Sequence, residues 1–148
     1  MSIQREPIYA ALFALVQAAV TSYAVTIARR FQLASQVPPV EQPAVFQVEK
    51  SERIQHERRG LPKKYWLSVD LVVYVQAGDS ASVPSQLMNQ ILDAIDAALE
   101  PSPGDPMNVQ TLGGLVEHAW IEGEVLIVEG TLQDQSVAIV PVQVYVTG

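Results

Sequence analysis

The stretch YWLSVDLVVYVQ, residues 65–76, constrains the fold more than any other part of the chain. Its odd positions are all apolar: Tyr65, Leu67, Val69, Leu71, Val73 and Val75. Its even positions, Trp66, Ser68, Asp70, Val72, Tyr74 and Gln76, are mixed. Side chains alternate across a strand, so the run predicts a strand with one face in a core and the other only partly wet.

Such a strand needs neighbours to pair with and layers to cover it. AVFQVE (44–49) alternates in the same way, and TSYAVTIARR (21–30) turns β-branched and aromatic, which predicts a short strand. NVQTLGGLVEHAWIEGEVLIVEG (108–130) and VAIVPVQVYV (137–146) also read as β structure, punctuated by Gly113–Gly114, Gly123 and Gly130. Pro141 has no N–H to give a ladder, so the last strand is expected near an edge or bulged there.

Two segments carry helical spacing instead. Ser2 as a cap, Pro7 in the first turn, and Ile8, Leu12, Leu15 and Ala19 predict a helix from about Gln4 to Ala19. Within SQLMNQILDAIDAALE (85–100), Leu87, Met88, Ile91, Leu92, Ile95, Ala98 and Leu99 form a stripe, with Asn89, Asp93 and Asp96 opposite. VPPVEQP (37–43) is a breaker-rich connector, AGDSASVPS a loop, and PSPGDP (101–106) ends the second helix. The expected order is α-β-β-β-α-β-β-β: an α+β fold, mostly antiparallel sheet packed with two helices. Its 148 residues suffice for one domain, 1–148, with a real core.

The chain is 49 % hydrophobic but only 17 % charged, where roughly a quarter is usual. So little charge implies a large interior or apolar surface hidden against partners. Several strands read as apolar on both faces, two helices can cover one face, and a neighbouring subunit is the expected cover for the other.

Net charge is −7, split unevenly along the chain. Residues 1–64 carry +4, while residues 65–148 carry −11 and contain no Lys or Arg. An acidic half of that size argues against broad nucleic-acid binding, which needs a basic face, and leaves the +4 half only a small patch with which to touch phosphates. With no cysteine there is neither disulfide framework nor thiolate chemistry. The apolar run PIYAALFALVQAAV (7–20) has 14 residues and contains Gln17, short of the ~20 that span a bilayer. Glu6 beside Arg5, and Pro7 opening a helix, argue against a cleaved signal.

Six of the nine basic residues lie within EKSERIQHERRGLPKK (49–64): Lys50, Arg53, Arg58, Arg59, Lys63 and Lys64. Between two strands, residues 50–64 form a long charged hairpin arm, well beyond the usual 2–5-residue turn. A basic arm on one copy can meet an acidic surface on the next, a heterologous contact that generates rings or filaments. The candidate receptors are Asp93, Asp96, Glu100, Glu117, Glu122 and Glu124; Trp66, Val72 and Tyr74 are candidates for the apolar part of the interface. For the arm, the competing expectation is a solvated loop that touches nothing. For the three apolar residues it is packing inside the chain.

No catalytic or cofactor-binding set emerges. His56 sits in the charged arm, and Asp93 with Asp96 reads as the wet face of a helix. His118, Glu122 and Glu124 would share a strand face and could hold a divalent metal, but an acidic sheet face is the plainer expectation. GGL at 113–115 lacks the glycines and lysine of a phosphate loop.

The phrases IYAALFALVQAA, PAVFQVE with its charged loop, GLPKKYWLSVDLVVYV and TLGGLVEHAWIEGEVLIVEGTLQDQSVAIVPVQVYV, over most of the chain, resemble the tail terminator (tail-completion) proteins of long-tailed bacteriophages. The resemblance implies a small α+β subunit of a hexameric ring. That ring caps the head-proximal end of the tail tube, stops its growth and provides the head-joining surface. It implies no enzyme activity, no cofactor and no membrane. The implied partners are further copies of the chain, the tail tube protein and a head-tail connector or neck protein, with DNA passing through without specific binding. The implied location is the virion tail, after synthesis in the host bacterial cytoplasm. A connector or neck protein, a tube-related subunit and, more remotely, a small metal-dependent enzyme are the alternatives.

Overall fold

The computed structural model describes residues 2–76, 84–101, 104–132 and 135–148. Helix α1 (Arg5–Val20) leads into strand β1 (Thr26–Ala28), and β2 (Ala44–Gln55) and β3 (Lys64–Gln76) follow. Helix α2 (Pro84–Ala98) precedes β4 (His118–Ile121), β5 (Leu126–Leu132) and β6 (Gln135–Thr147). This is the expected α+β order. The expected loop at 77–83 lies outside the described residues.

The sheet runs β1-β2-β3-β6-β4, with β5 also on β6. Only β1 with β2 is parallel; all other pairs are antiparallel. β3 and β6 pair over their full length, from Lys64↔Thr147 to Gln76↔Gln135. That register puts the odd residues of β3 beside Val146, Val144, Val142, Val140 and Ala138, on the face that meets both helices. Ile8, Tyr9, Leu12, Val16 and Val20 of α1 and Met88, Ile91 and Ile95 of α2 close this core.

α1 begins at Arg5 behind Gln4, whose side chain makes no capping bond, so Ser2 is not the cap. Pro7 falls in the first turn, where its missing N–H costs nothing. α2 opens on Pro84 and ends at Ala98. Its last carbonyls find a donor in Gln110, whose buried amide nitrogen bonds Glu100 O at 2.9 Å and Ala98 O at 3.3 Å.

The second sheet face corrects one expectation. The chain covers part of it itself, with short 3-10 turns at Ala34–Gln36 and Pro39–Glu41. Val37 packs there with Ala44, Phe46, Val72 and Tyr74. The Tyr74 hydroxyl donates to Gln32 O at 2.9 Å and the Gln42 amide to Val37 O at 2.9 Å, pinning the segment over the strands. The breaker-rich connector is therefore a cover for the sheet as well as a link.

Two irregularities shape the strands. β2 carries an extra residue at Lys50, between the pairs Glu49↔Val69 and Ser51↔Ser68. This bulge shifts parity, so Arg53 joins the face of Trp66 while Glu52 and Ile54 join the helix face. On the other side of the sheet, Pro141 lies in β6, a central strand and not an edge. Its missing donor coincides with the gap between β4 and β5, where only Glu122 N–H bonds Pro141 O, at 3.2 Å. Gly123 crosses this gap at φ +113, and a Cβ there would sit 3.4 Å from the Pro141 ring.

Leu71 is fully buried and Val40 is 82 % exposed. Leu71→Ala should cost roughly 2–5 kcal/mol of unfolding free energy in a urea titration, and Val40→Ala no more than about 0.5. Equal losses would contradict the placement of the core on the odd face of β3.

Candidate interaction site

The charged arm is not a free fifteen-residue loop. Its root is a β ribbon, because β2 and β3 stay paired as far as Gln55↔Lys64. Only residues 56–63 form the tip, and all of them are exposed. A turn closes it, with Leu61 N–H donating to Arg58 O at 3.2 Å and Gly60 at φ +87.

Eight of the nine cations lie in the arm or bind its root; the ninth, Arg30, lines a cavity with Phe31, Gln32 and Gln36. Arg5 and Arg29 bind the root from the helix side. Arg5 Nε lies 2.8 and 2.9 Å from the two carboxylate oxygens of Glu52. Arg29 reaches Glu6 at 2.6 and 3.0 Å and Glu49 at 3.2 Å. These contacts hold the Glu6 carboxyl below its usual range and raise both guanidinium groups. Within the arm, Lys64 pairs with Glu57 at 2.7 Å, Lys50 sits 4.0 Å from Asp70, and the Arg53 guanidinium lies 4.8 Å over the Trp66 ring. Arg58, Arg59 and Lys63 at the tip have no carboxylate within 4.0 Å among the described residues.

The sheet face beside the ribbon carries a row that the sequence did not announce. Arg53, Trp66, Tyr145 and His118 stand opposite one another on four successive strands. Trp66 stacks on Tyr145 at 5.3 Å and His118 on Trp120 at 4.8 Å, and all four rings are half-buried. Trp66 was legible as a candidate. Tyr145 and Trp120 were not, because only the β3–β6 and β4–β6 registers bring them to its side. Val72 and Tyr74 lie under the 3-10 segment, 6 % and 4 % exposed, so packing inside the chain accounts for both.

The acidic candidates Asp93, Asp96, Glu100, Glu117, Glu122 and Glu124 are all exposed, but the structure does not gather them into one patch. Glu117 accepts from the Thr147 N–H at 2.8 Å and from its hydroxyl. Glu122 borders a cavity of about 320 Å³ together with Arg53, Trp66 and Gln143. Asp93 and Asp96 rim a different cavity, of about 280 Å³, between α2 and the β4–β5 edge. Its walls include Leu92, Ile121, Val125 and Ile127.

His118 has a structural task. Its Nδ1 accepts the Gln110 N–H at 3.1 Å, and the Ala119 N–H bonds Gln110 O at 2.9 Å, which ties the loop after α2 to β4. Among the described residues no group of three His, Asp or Glu side chains converges to hold a metal, so His118, Glu122 and Glu124 are not brought together as a ligand set. No helix among the described residues is long and apolar enough to cross a membrane.

No family model and no curated protein matches the sequence. Among solved structures, a chain from the virion of a native gene transfer agent particle is similar, with a TM-score of 0.56 and 12 % identity. The match covers 95 % of this chain and 95 % of that one. At this identity the likeness establishes the shared fold.

Tyr9 lies under the arm root and donates to Glu52 at 3.2 Å. Burial first, then the charges of Glu52 and Glu49, push its phenol well above the usual value; burial alone raises Tyr74. The folded state therefore keeps protons that unfolded tyrosines release near pH ~10. The sign follows: stability is intact below about pH 10 and falls as pH rises through the folded values. Urea midpoints should decline above about pH 10, and Tyr9→Phe should flatten the decline. An unchanged slope in Tyr9→Phe would assign the alkaline loss to other groups.

Proposed function

We propose that the chain is a structural subunit of a phage-like virion that assembles into a ring at the head-proximal end of a tail tube. The ring ends tube growth and presents the surface to which the head is joined. One observation carries the reading: the tip of a β ribbon holds three cations with no carboxylate partner among the described residues, while the exposed Asp93 and Asp96 stand apart from it on α2. A contact between unlike patches is what a closed ring requires.

Two further facts support it. The fold is shared, from end to end of both chains, with a chain from a gene transfer agent virion. The phrases of the sequence resemble tail terminators, whose rings are hexameric. In this reading the protein works by shape and surface, as one domain and without a cofactor, and its partners are further copies, the tube protein and a connector. The −11 of residues 65–148 disfavours a grip on phosphates, which suits a ring through which DNA slides.

Native mass spectrometry of the purified chain should show one closed copy number, six by the resemblance. Gold-labelled chain in assembled tails should mark only the tube end that faces the head. Label along the whole tube would make the chain a tube subunit, and label confined to the portal side of joined heads would make it a connector. Unlabelled particles would remove the virion role altogether.

A further inference from the structure

The arm tip and the cavity between α2 and β4–β5 are complementary in charge. The turn at residues 58–61 presents Leu61, 39 % exposed, among cations. Arg58 and Arg59 precede it and Lys63 follows, none with a carboxylate partner among the described residues. The cavity reverses this arrangement. Its floor is aliphatic, with Leu92, Ile121, Val125 and the half-exposed Ile127, and Asp93 and Asp96 stand on one side of its mouth. Those two carboxylates are three residues apart on α2 and so project to the same side.

A chain cannot fill its own cavity with its own tip. The tip adjoins the end of β6, where Gly148 N–H bonds Lys63 O at 2.8 Å. The cavity lies at Val140, seven residues back along the same strand from Thr147. At about 3.3 Å per residue that is ~23 Å, and the tip extends beyond the strand end, away from the cavity.

We infer that Leu61 at the arm tip of one copy seats in the Leu92–Ile121–Val125–Ile127 cavity of the next copy, with Arg59 and Lys63 against Asp93 and Asp96. The inference rests on the ring reading and gives it a specific lateral contact. Burial of the leucine supplies attraction, and the flanking charges fix direction and reject tip-to-tip or cavity-to-cavity pairing. Each copy then carries one tip and one cavity, so the contact repeats around a closed assembly.

The chain has no cysteine, which makes thiol trapping clean. Lys63→Cys protein mixed with Asp96→Cys protein, under mild oxidation, should give heterodisulfide about tenfold over a control mixture of Lys63→Cys with Met107→Cys. Met107 is 75 % exposed and lies outside the cavity. Both cysteines in one chain should give a ladder that stops at one closed species. Leu61→Asp should remove the trapping while circular dichroism stays native. Arg59→Glu in the Lys63→Cys protein should also weaken it, and adding Asp93→Lys to the Asp96→Cys protein should restore it. Native mass spectrometry of the unmodified chain separates the two claims. Rings without trapping overturn the tip-in-cavity contact and leave the ring reading standing. Trapping without a closed species supports the contact and overturns the ring. Neither one overturns both.

Discussion

Thirteen register pairs join β3 to β6, and their parity decides what every other part of the molecule can do. Odd residues of β3 and even residues of β6 meet α1 and α2, so the main core is sealed on one side by two helices. The opposite parity leaves Trp66, Ser68, Asp70, Gln143 and Tyr145 on the other face, away from α1 and α2. At one end of that face the 3-10 segment covers Val72 and Tyr74; at the other, the ribbon projects. A shift by one residue would exchange the two sets and expose the valines, so the pairing is strongly specified.

That parity explains which parts of the structure were legible in the sequence. Residues 65–76 announced their strand because the buried face is an unbroken series of apolar residues. Both helices were readable within a residue or two from their stripes and prolines. The 3-10 cover was hidden, because Val37 and the prolines around it carry no periodicity and work only through Tyr74 and Gln42. The bulge at Lys50 was hidden for a related reason. AVFQVE alternates well, but nothing in EKSER marks where an extra residue enters. Pro141 points to an edge or a bulge, and of these the edge is excluded because β6 is central. The ladder is interrupted in its neighbour instead, where β4 gives way to β5 across Gly123. Of the candidate site, the cations of the arm were plain from composition, whereas the cavity was not. Leu92, Ile121, Val125 and Ile127 come from three elements that only the folded chain brings together.

The charges show a division of labour between folding and contact. Arg5 and Arg29, outside the arm, neutralise Glu49 and Glu52 at its root and tie α1 to β2. Lys50, Arg53 and Lys64 find Asp70, Trp66 and Glu57 along the ribbon. Exposed pairs of this kind contribute about 0–1 kcal/mol each, so they orient the ribbon more than they stabilise the fold. They also protect an edge: β2 beyond Phe46 has no outer partner, and a bulge with a run of charges discourages stray pairing there. Arg58, Arg59 and Lys63 at the tip have no such partners among the described residues.

The energetics of the proposed contact favour a closed ring over an isolated pair. Burying one leucine contributes about 1.5–3 kcal/mol, and the flanking exposed pairs add about 0–1 each. Bringing two copies together costs an estimated 4–15 kcal/mol in lost freedom, so a single tip in a single cavity holds a pair only briefly. In a closed ring every copy makes two such contacts, and the last copy to enter gains both while meeting neighbours already held in place. A tube end that arranges several copies side by side supplies the same advantage from the outset. Weak single contacts then leave isolated pairs short-lived and make the closed ring, in which every copy is held twice, the stable species.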